Sequence, residues 1–424
     1  MIVHIALRNV FRNKSRLLLS TLIVAIASLL LVFATGQIAG VDKTLRTSMI
    51  NTLTGHIQVK PKAVPVDFFE ASLGRLRHYI QADDIHQLLV KVRAVEGVEA
   101  VAPRLRFGAL VGDEKGSTGS MIMAVDPIAE KRVSPDLSSM LDVIEQNSQA
   151  AFISEELSEK TNLGIGDEIL VLAETPEEIP NGRPYDISGF STAPILIDEY
   201  MKGIFLIDLT SARGLMYGNN MGDDSGITSE IAIRVKAEYV DQLPKVIERI
   251  EATLSKEEKE FLGVYSYREL AKAVGNVSNI AKSMAALQIG AVMFVMLVIV
   301  LIITKMGLHE RRGEIGTLMS IGMARGPLIS LFLLEVVIKV LIGYVAGLVI
   351  AVFLLFQLKQ AGGMKSVTLV EQFMNGGKVM LPVIDVENIL IGFFVVILVS
   401  MLTTLITCWN AASEDAVELL RSTG

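Results

Sequence analysis

Four stretches of the chain carry almost no charge for about 20 residues or more, the length that crosses a hydrocarbon core of about 30 Å as a helix. Leu17 to Val41 lies between Arg16 and Asp42, Ser283 to Thr304 between Lys282 and Lys305, and Asn388 to Ser413 between Glu387 and Glu414. Pro327 to Leu358 contains Glu335 and Lys339, yet its other residues are almost wholly Leu, Ile, Val, Phe, Gly and Ala. The pattern predicts four transmembrane helices, at 17–41, 283–304, 327–358 and 388–413. Residues 42–282, 241 in all, separate the first two and follow other periods. Short β-branched runs at His56 to Val59, Val98 to Val101, Met121 to Val125, Glu168 to Leu172 and Glu230 to Val235 predict strands. Ile85, Leu88, Leu89 and Val92 fall on one helical face behind an Asp83 or Asp84 cap, and a second helix is expected over Val240 to Leu254. Glu174 to Ile195, rich in Pro, Gly, Glu and Ser, reads as a loop, and Tyr217 to Gly226 as turns. The predicted class is therefore a polytopic α-helical membrane protein with a large α+β domain between helices one and two, long enough for two subdomains.

Composition agrees. Of 424 residues, 51% are hydrophobic and 20% charged, and the mean hydropathy is +0.49, too apolar for a soluble protein and too charged for one wholly in lipid. The net charge of −7 is spread along the chain and leaves no nucleic-acid footprint. Cys408 is the single cysteine, so an intrachain disulfide or a multi-cysteine metal site is excluded. Residues 42–282 carry 26 Lys and Arg against 37 Asp and Glu, and must fold without staples.

Residues 1–16 hold Arg8, Arg12, Lys14 and Arg16 and no acid, which places this end in the cytoplasm by the positive-inside rule. The large domain and residues 359–387 then lie outside, while residues 305–326 and the tail 414–424 lie inside. The apolar run after Arg16 is too long for a signal peptide, and no small-x-small cleavage pattern follows it. Val3, Leu7, Val10 and Phe11 share one helical face and Arg8, Arg12 and Arg16 another, so residues 1–16 predict an amphipathic interfacial helix.

No G-x-x-x-x-G-K-[ST] phosphate loop occurs, nor H-E-x-x-H or G-x-S-x-G. His78 and His86 flank Asp83 and Asp84, but a solvated acidic turn is the better reading than a metal site. The chain is not expected to be an enzyme, and no metal or cofactor is expected in it. The 305–326 loop has more to offer. It runs KMGLHERRGEIGTLMSIGMARGPL, mixing Glu310, Arg311, Arg312 and Glu314 with an apolar stripe at Ile315, Leu318, Met319 and Gly322, as a short amphipathic helix would.

This loop resembles the cytoplasmic signature E-R-x-x-E-I-G-x-L-x-A-I-G of the FtsX, MacB and lipoprotein-releasing permease superfamily, with Glu310, Arg311, Glu314, Ile315, Gly316, Leu318, Ile321 and Gly322 in the matching places. The N-terminal A-L-R-N-V-F-R-N-K-S-R is similar to the family's entry sequence, and Val417-Glu418-Leu419-Leu420-Arg421 to its terminal P-x-E-x-L-R, with Ala416 in place of proline and acidic Glu414 and Asp415 before it. The resemblance implies an ATP-binding cassette (ABC) permease subunit of a bacterial inner membrane, its large domain in the periplasm. It also implies a second permease chain, identical or not, and a cytoplasmic ATPase dimer that binds ATP and Mg. The coupling helix would then be formed by Glu310, Arg311, Arg312, Glu314, Ile315, Gly316, Leu318, Ile321 and Gly322. Thr54-Gly55-His56-Ile57-Gln58-Val59 looks most like the lipoprotein-releasing branch, which implies a lipoprotein substrate. Peptide or amphiphile export of the MacB kind and FtsX-like activation of a cell-wall hydrolase are the alternatives.

Three further expectations concern the spans. Glu335 and Lys339, one helical turn apart, are expected to pair away from lipid. Gly343 and Gly347 form a G-x-x-x-G that predicts close helix packing, within the subunit or across a dimer. No polar stripe lines any span, so a lipid-anchored ligand would enter sideways into an apolar cleft between spans one and two, lined by Leu31, Phe33, Ile38, Met284, Leu287 and Met293.

Overall fold

The computed structural model describes residues 2–12, 14–67, 78–80, 82–114, 116–191, 204–217, 226–310, 313, 316–317, 320, 323–365 and 379–412. Two compact units emerge: a helical one made of Met1–Asp42, Asn279–Lys365 and Val379–Gly424, and an outer one made of Lys43–Ser278 and Ser366–Lys378.

Long helices build the first unit. After a short helix, Ile2–Arg12, come Lys14–Ser48, Lys272–Glu310, Arg325–Gln360 and Val386–Ala412. Within them Leu17–Thr54, Lys282–Glu310, Gly326–Gln360 and Ile389–Trp409 are each long and apolar enough to cross a membrane. The first three are longer than their uncharged runs. The first continues past Asp42, Lys43 and Arg46 and closes in a π-helical turn, Met49–Thr54; charge stops a span from lying in lipid but not from staying helical. Likewise Lys305 to Glu310, expected in a loop, form the end of the second-span helix. The helices meet through Val24, Ala27, Leu31, Val32, Met296, Val340, Tyr344, Leu355 and Val396.

In the outer unit nine strands among the described residues form one sheet: β1 (Ile57–Pro61), β2 (Val98–Asp113), β3 (Gly116–Val125), β4 (Ala150–Ile153), β5 (Glu168–Glu174), β6 (Pro180–Phe190), β7 (Ile204–Asp208), β8 (Glu230–Val235) and β9 (Leu262–Ser266). Its order is β3-β7-β4-β6-β5-β2-β8-β1-β9, and β3 also pairs with β2. That extra pairing closes β2, β3, β7, β4, β6 and β5 into a ring, with side chains such as Phe107, Ile122, Ile153, Val171, Tyr185 and Phe205 packed in one cluster. The remaining three strands continue from β2 as an antiparallel sheet, β9-β1-β8-β2. Helix Ala82–Arg93 connects β1 to β2 and helix Leu243–Thr253 lies between β8 and β9. This is a ferredoxin-like β-α-β-β-α-β arrangement, with the ring inserted between its second and third strands. Its core unites Ile57, Val59, Leu88, Val92, Ile231, Ile233, Val246 and Ile250.

Strand β2 belongs to both modules, pairing with β8 over Val98–Arg104 and with β3 over Arg104–Asp113. Strand β1 runs antiparallel to β9 in five rungs, from Ile57 opposite Ser266 to Pro61 opposite Leu262.

Two local expectations change. Residues 180–190, read as loop, form β6: Tyr185 and Ile187 point inward and are buried while alternate positions face solvent. Its prolines and glycine mimic a turn because only one face of the strand is covered. Asp83 and Asp84 lie within the helix Ala82–Arg93 rather than capping it. Of the turns read at 217–226, residues 218–225 lie outside the described residues, as do residues 192–195 of the expected loop.

Candidate functional site

One end of the helical unit brings Asn9, Glu335 and Lys339 together. The short helix Ile2–Arg12 buries Ala6 and Val10 and half-buries Asn9, whereas Leu7 and Phe11 face outward. The buried stripe is therefore Ala6, Asn9 and Val10, offset from the one expected, because the helix packs on the third-span helix and one of its polar groups has a partner there. The Asn9 amide donates from Nδ2 to Glu335 Oε1 at 2.9 Å. Glu335 is 3% exposed. A charge near a span centre costs about 2.5–3.5 kcal/mol on insertion scales, and a hydrogen-bond donor offsets part of that.

Glu335 and Lys339 both line a cavity of about 100 Å³, together with Asn9, Ser20, Thr304 and Thr404 among apolar walls. Beside it Leu308, Leu328, Ile329 and Cys408 pack together, joining the end of the second-span helix to the start of the third. This cluster joins the helix ends that flank the 305–326 loop. Glu310 is exposed at the helix end, Gly316 is buried, and the hydroxyls of Thr317 and Ser320 donate to the carbonyls of Gly313 and Gly316 in helical spacing. Arg311, Arg312, Glu314, Ile315, Leu318, Ile321 and Gly322 lie outside the described residues.

The two span glycines sit against the first-span helix. A Cβ on Gly343 would stand 2.7 Å from Val24 Cβ, and one on Gly347 2.2 Å from the Ala25 carbonyl oxygen. The Tyr344 hydroxyl donates to the Ile389 carbonyl at 2.6 Å, tying the third helix to the fourth. The residues proposed for an apolar cleft divide. Leu31 is buried in the bundle core, where its Cδ2 would stand 2.9 Å from a Cβ on Gly392; it packs helices together and does not wall a cleft. Phe33 and Met293 are half-buried against the same core, and Ile38 is half-buried. Met284 and Leu287 face outward, 54% and 77% exposed. At that end of the spans Lys282 Nζ meets Asp42 Oδ1 at 2.7 Å.

Sequence reasoning missed Asn9 and a second polar centre in the outer domain. There Arg104 is wholly buried and donates from Nε to Glu130 Oε2 at 3.0 Å and from Nη2 to Glu130 Oε1 at 2.5 Å. Arg106 donates from Nε to Glu230 Oε2 at 2.7 Å. The spacing held a signal: two arginines two apart in an apolar strand run share one face. Nearby, burial and the Arg234 charge lower His56 to about 4, keeping it neutral, and burial with the Arg106 charge lowers Lys60 to about 8. Among the described residues no group of three or more His, Cys, Asp or Glu is placed to hold a metal.

Comparison with known proteins adds the following. A family model described as the MacB-like periplasmic core domain matches residues 15–253, and one described as FtsX-like permease C-terminal matches residues 287–416. Among curated proteins none matches the sequence. Solved structures that resemble the chain include the extracellular domain of the noncanonic ABC-type transporter YknZ from Gram-positive bacteria, 14% identical, TM-score 0.31, covering 50% of this chain and 99% of that one. The periplasmic region of MacB from Actinobacillus actinomycetemcomitans is 10% identical, TM-score 0.32, covering 54% and 94%. A domain of a putative permease protein from Porphyromonas gingivalis is 15% identical, TM-score 0.28, covering 51% and 92%.

Proposed function

This chain belongs to the FtsX/MacB-like superfamily of ABC permeases, and we propose that it is the membrane subunit through which a separate cytoplasmic ATPase drives the outer domain. The observation that carries the reading is the composition of the loop between the second and third spans. It has the family's E-R-x-x-E-I-G pattern, and the helix ends on either side of it meet in the cluster of Leu308, Leu328 and Cys408, near the cavity where Asn9 meets Glu335. ATP and Mg would be held by the partner ATPase, and a second permease chain would complete the complex. The membrane is the bacterial inner membrane and the outer domain periplasmic in this reading.

The spans support one substrate class. None carries a polar stripe along its sequence, so the reading is of force passed to the outer domain rather than of a hydrophilic solute passed through a pore. Together with the lipoprotein-releasing look of residues 54–59, this favours a lipid-anchored protein withdrawn from the outer leaflet. Export of a periplasmic peptide or amphiphile is the second reading, favoured by the MacB-like match over residues 15–253.

A photo-crosslinker at Met284 or Leu287, both outward-facing, tests it in native membranes. Capture of a lipoprotein that is lost once ATP is added is the expected result; capture of phospholipid alone under both conditions sinks the lipoprotein reading. Replacing Glu310 with Lys is expected to lower stimulation of the co-purifying ATPase while leaving insertion intact, and unchanged stimulation would remove the loop from the coupling role.

A further inference from the structure

The ferredoxin-like sheet has two unlike faces. Residues Ile57 and Val59 of β1 and Ile231, Ile233 and Val235 of β8 face the helices. Their neighbours in the alternation, Gln58, Lys60, Glu230 and Arg234, share the opposite face with Arg104 and Arg106 of β2. That second face is polar yet shielded from water: Gln58, Lys60 and Arg104 are 0% exposed and Glu230 1%. Charges in such a place are expensive, and a buried ion pair contributes little net stability compared with apolar packing. Their directionality is what apolar packing lacks.

Part of what covers this face is the last turn of the first-span helix. Met49–Thr54 is a π-helical turn, a rare form that recurs at functional positions. A helix end leaves carbonyls without partners, and here Arg104 Nη1 donates to the Leu53 carbonyl. The rest of the same guanidinium is fixed by Glu130 and by Ser134 Oγ at 3.0 Å. A second arginine, Arg234, donates from Nη1 to Asn51 Oδ1 at 3.2 Å and to the Val133 carbonyl at 3.0 Å. Asn51 in turn donates to Asp136 Oδ1 at 3.3 Å. The chain then turns into β1 at Gly55, whose φ is +64° and where a Cβ would stand 2.9 Å from the Ile233 carbonyl. No other residue type fits that step without strain.

We propose that the polar face is a keyed joint within the outer domain, with Arg104 and Arg234 as the positioning residues that grip the π-helical turn Met49–Thr54. An apolar seat would let the helix end roll or slip by a fraction of a turn. Two guanidinium groups on neighbouring strands, each with several fixed donors, hold it in one rotational setting. What the joint transmits rests on the driven-permease reading; that the joint exists does not.

Hydrogen exchange on the full chain in detergent, with Asn51→Ala and Arg104→Lys, tests the joint. Asn51 is half-buried, so its replacement spares the core, and lysine retains the charge of Arg104 without the fork. Both are expected to speed exchange at the amides of residues 50–54 by about tenfold, the equivalent of one lost hydrogen bond, while β5 and β6 keep their protection. Arg106→Lys perturbs the same buried network through Glu230 and is expected to leave residues 50–54 within roughly twofold of wild type. Wild-type exchange in the first two variants, or equal acceleration in all three, overturns the joint. In the complex with the co-purifying ATPase, Asn51→Ala and Arg104→Lys should also lower permease-dependent ATP hydrolysis several-fold. If exchange rises but hydrolysis does not change, the joint transmits nothing. Should the wild-type complex show no coupling, the functional reading fails, and the exchange data still decide the joint.

Discussion

In the helical unit the large side chains face outward: Leu287 is 77% exposed, Phe294 67% and Trp409 66%, while Gly343 and Gly347 are turned in against the first-span helix. In the outer domain the order is reversed. Phe205 and Tyr185 are 0% and 1% exposed, and their rings meet edge to face with centroids 6.1 Å apart. The two units also handle buried charge differently. The helical unit satisfies Glu335 with an amide brought from another helix, whereas the outer domain concentrates Arg104, Arg106, Glu130 and Glu230 in one network. The difference teaches that each unit is sorted by its solvent. Water drives size inward; lipid rewards no such sorting, so the spans are held by close backbone approach instead.

The largest test of this contrast is a pair of phenylalanines. Phe205→Ala, inside the ring, should destabilise the outer domain by about 3–5 kcal/mol, read as a lower denaturation midpoint, while Phe294→Ala should change stability by no more than about 0.5 kcal/mol. Equal effects would break the comparison. The next is acid sensitivity, which should belong to the outer domain. Folded His56 binds its proton only near pH 4 against an ordinary 6.5. Between those values the unfolded chain takes up a proton that the folded one refuses. Stability is therefore fully present above pH 6.5 and falls by about 3 kcal/mol as pH drops to 4. His56→Gln should flatten that slope in protection of β1 and β8. Third, Gly347→Leu should lower the thermal midpoint of the helical unit by the equivalent of about 1–3 kcal/mol, because of the Ala25 carbonyl; Gly290→Leu, with nothing within 4 Å of its Cβ position, should not. The smallest effect is expected at the partly exposed Lys282–Asp42 pair, where Lys282→Ala should cost about 0.2–1 kcal/mol, less in high salt.

How much of this was legible depended on how local each cause is. The four spans and strand β8 are written in short windows, as uncharged runs and as Glu230 to Val235 in alternation. The ring is not, since it closes only when β3 meets both β2 and β7, and β7 lies 79 residues or more from the pairing positions of β3. Strands β4 and β9, of four and five residues, are too short to stand out from their surroundings. Asn9 was opaque for the same reason, its partner being 326 positions away. Gly343 and Gly347 could be assigned to packing but not to a partner; geometry supplies the first-span helix. For the loop, the residues that carry the resemblance were clear in the sequence, and most of them lie outside the described residues.

The five rungs between β1 and β9 limit how the first two spans can move. The first-span helix feeds β1 through Gly55 and His56, and β9 hands the chain to the second-span helix through Tyr267–Leu270. The residues at the two joins, Ile57 and Ser266, face each other in the ladder. A piston stroke of one helix past the other would have to slide that ladder by at least one residue, about 3.3–3.4 Å. Such a step would break all five rungs and turn Val59 and Val264 from the core face to the polar one. Within the outer domain the two joins are therefore tied to one register, and neither can advance past the other.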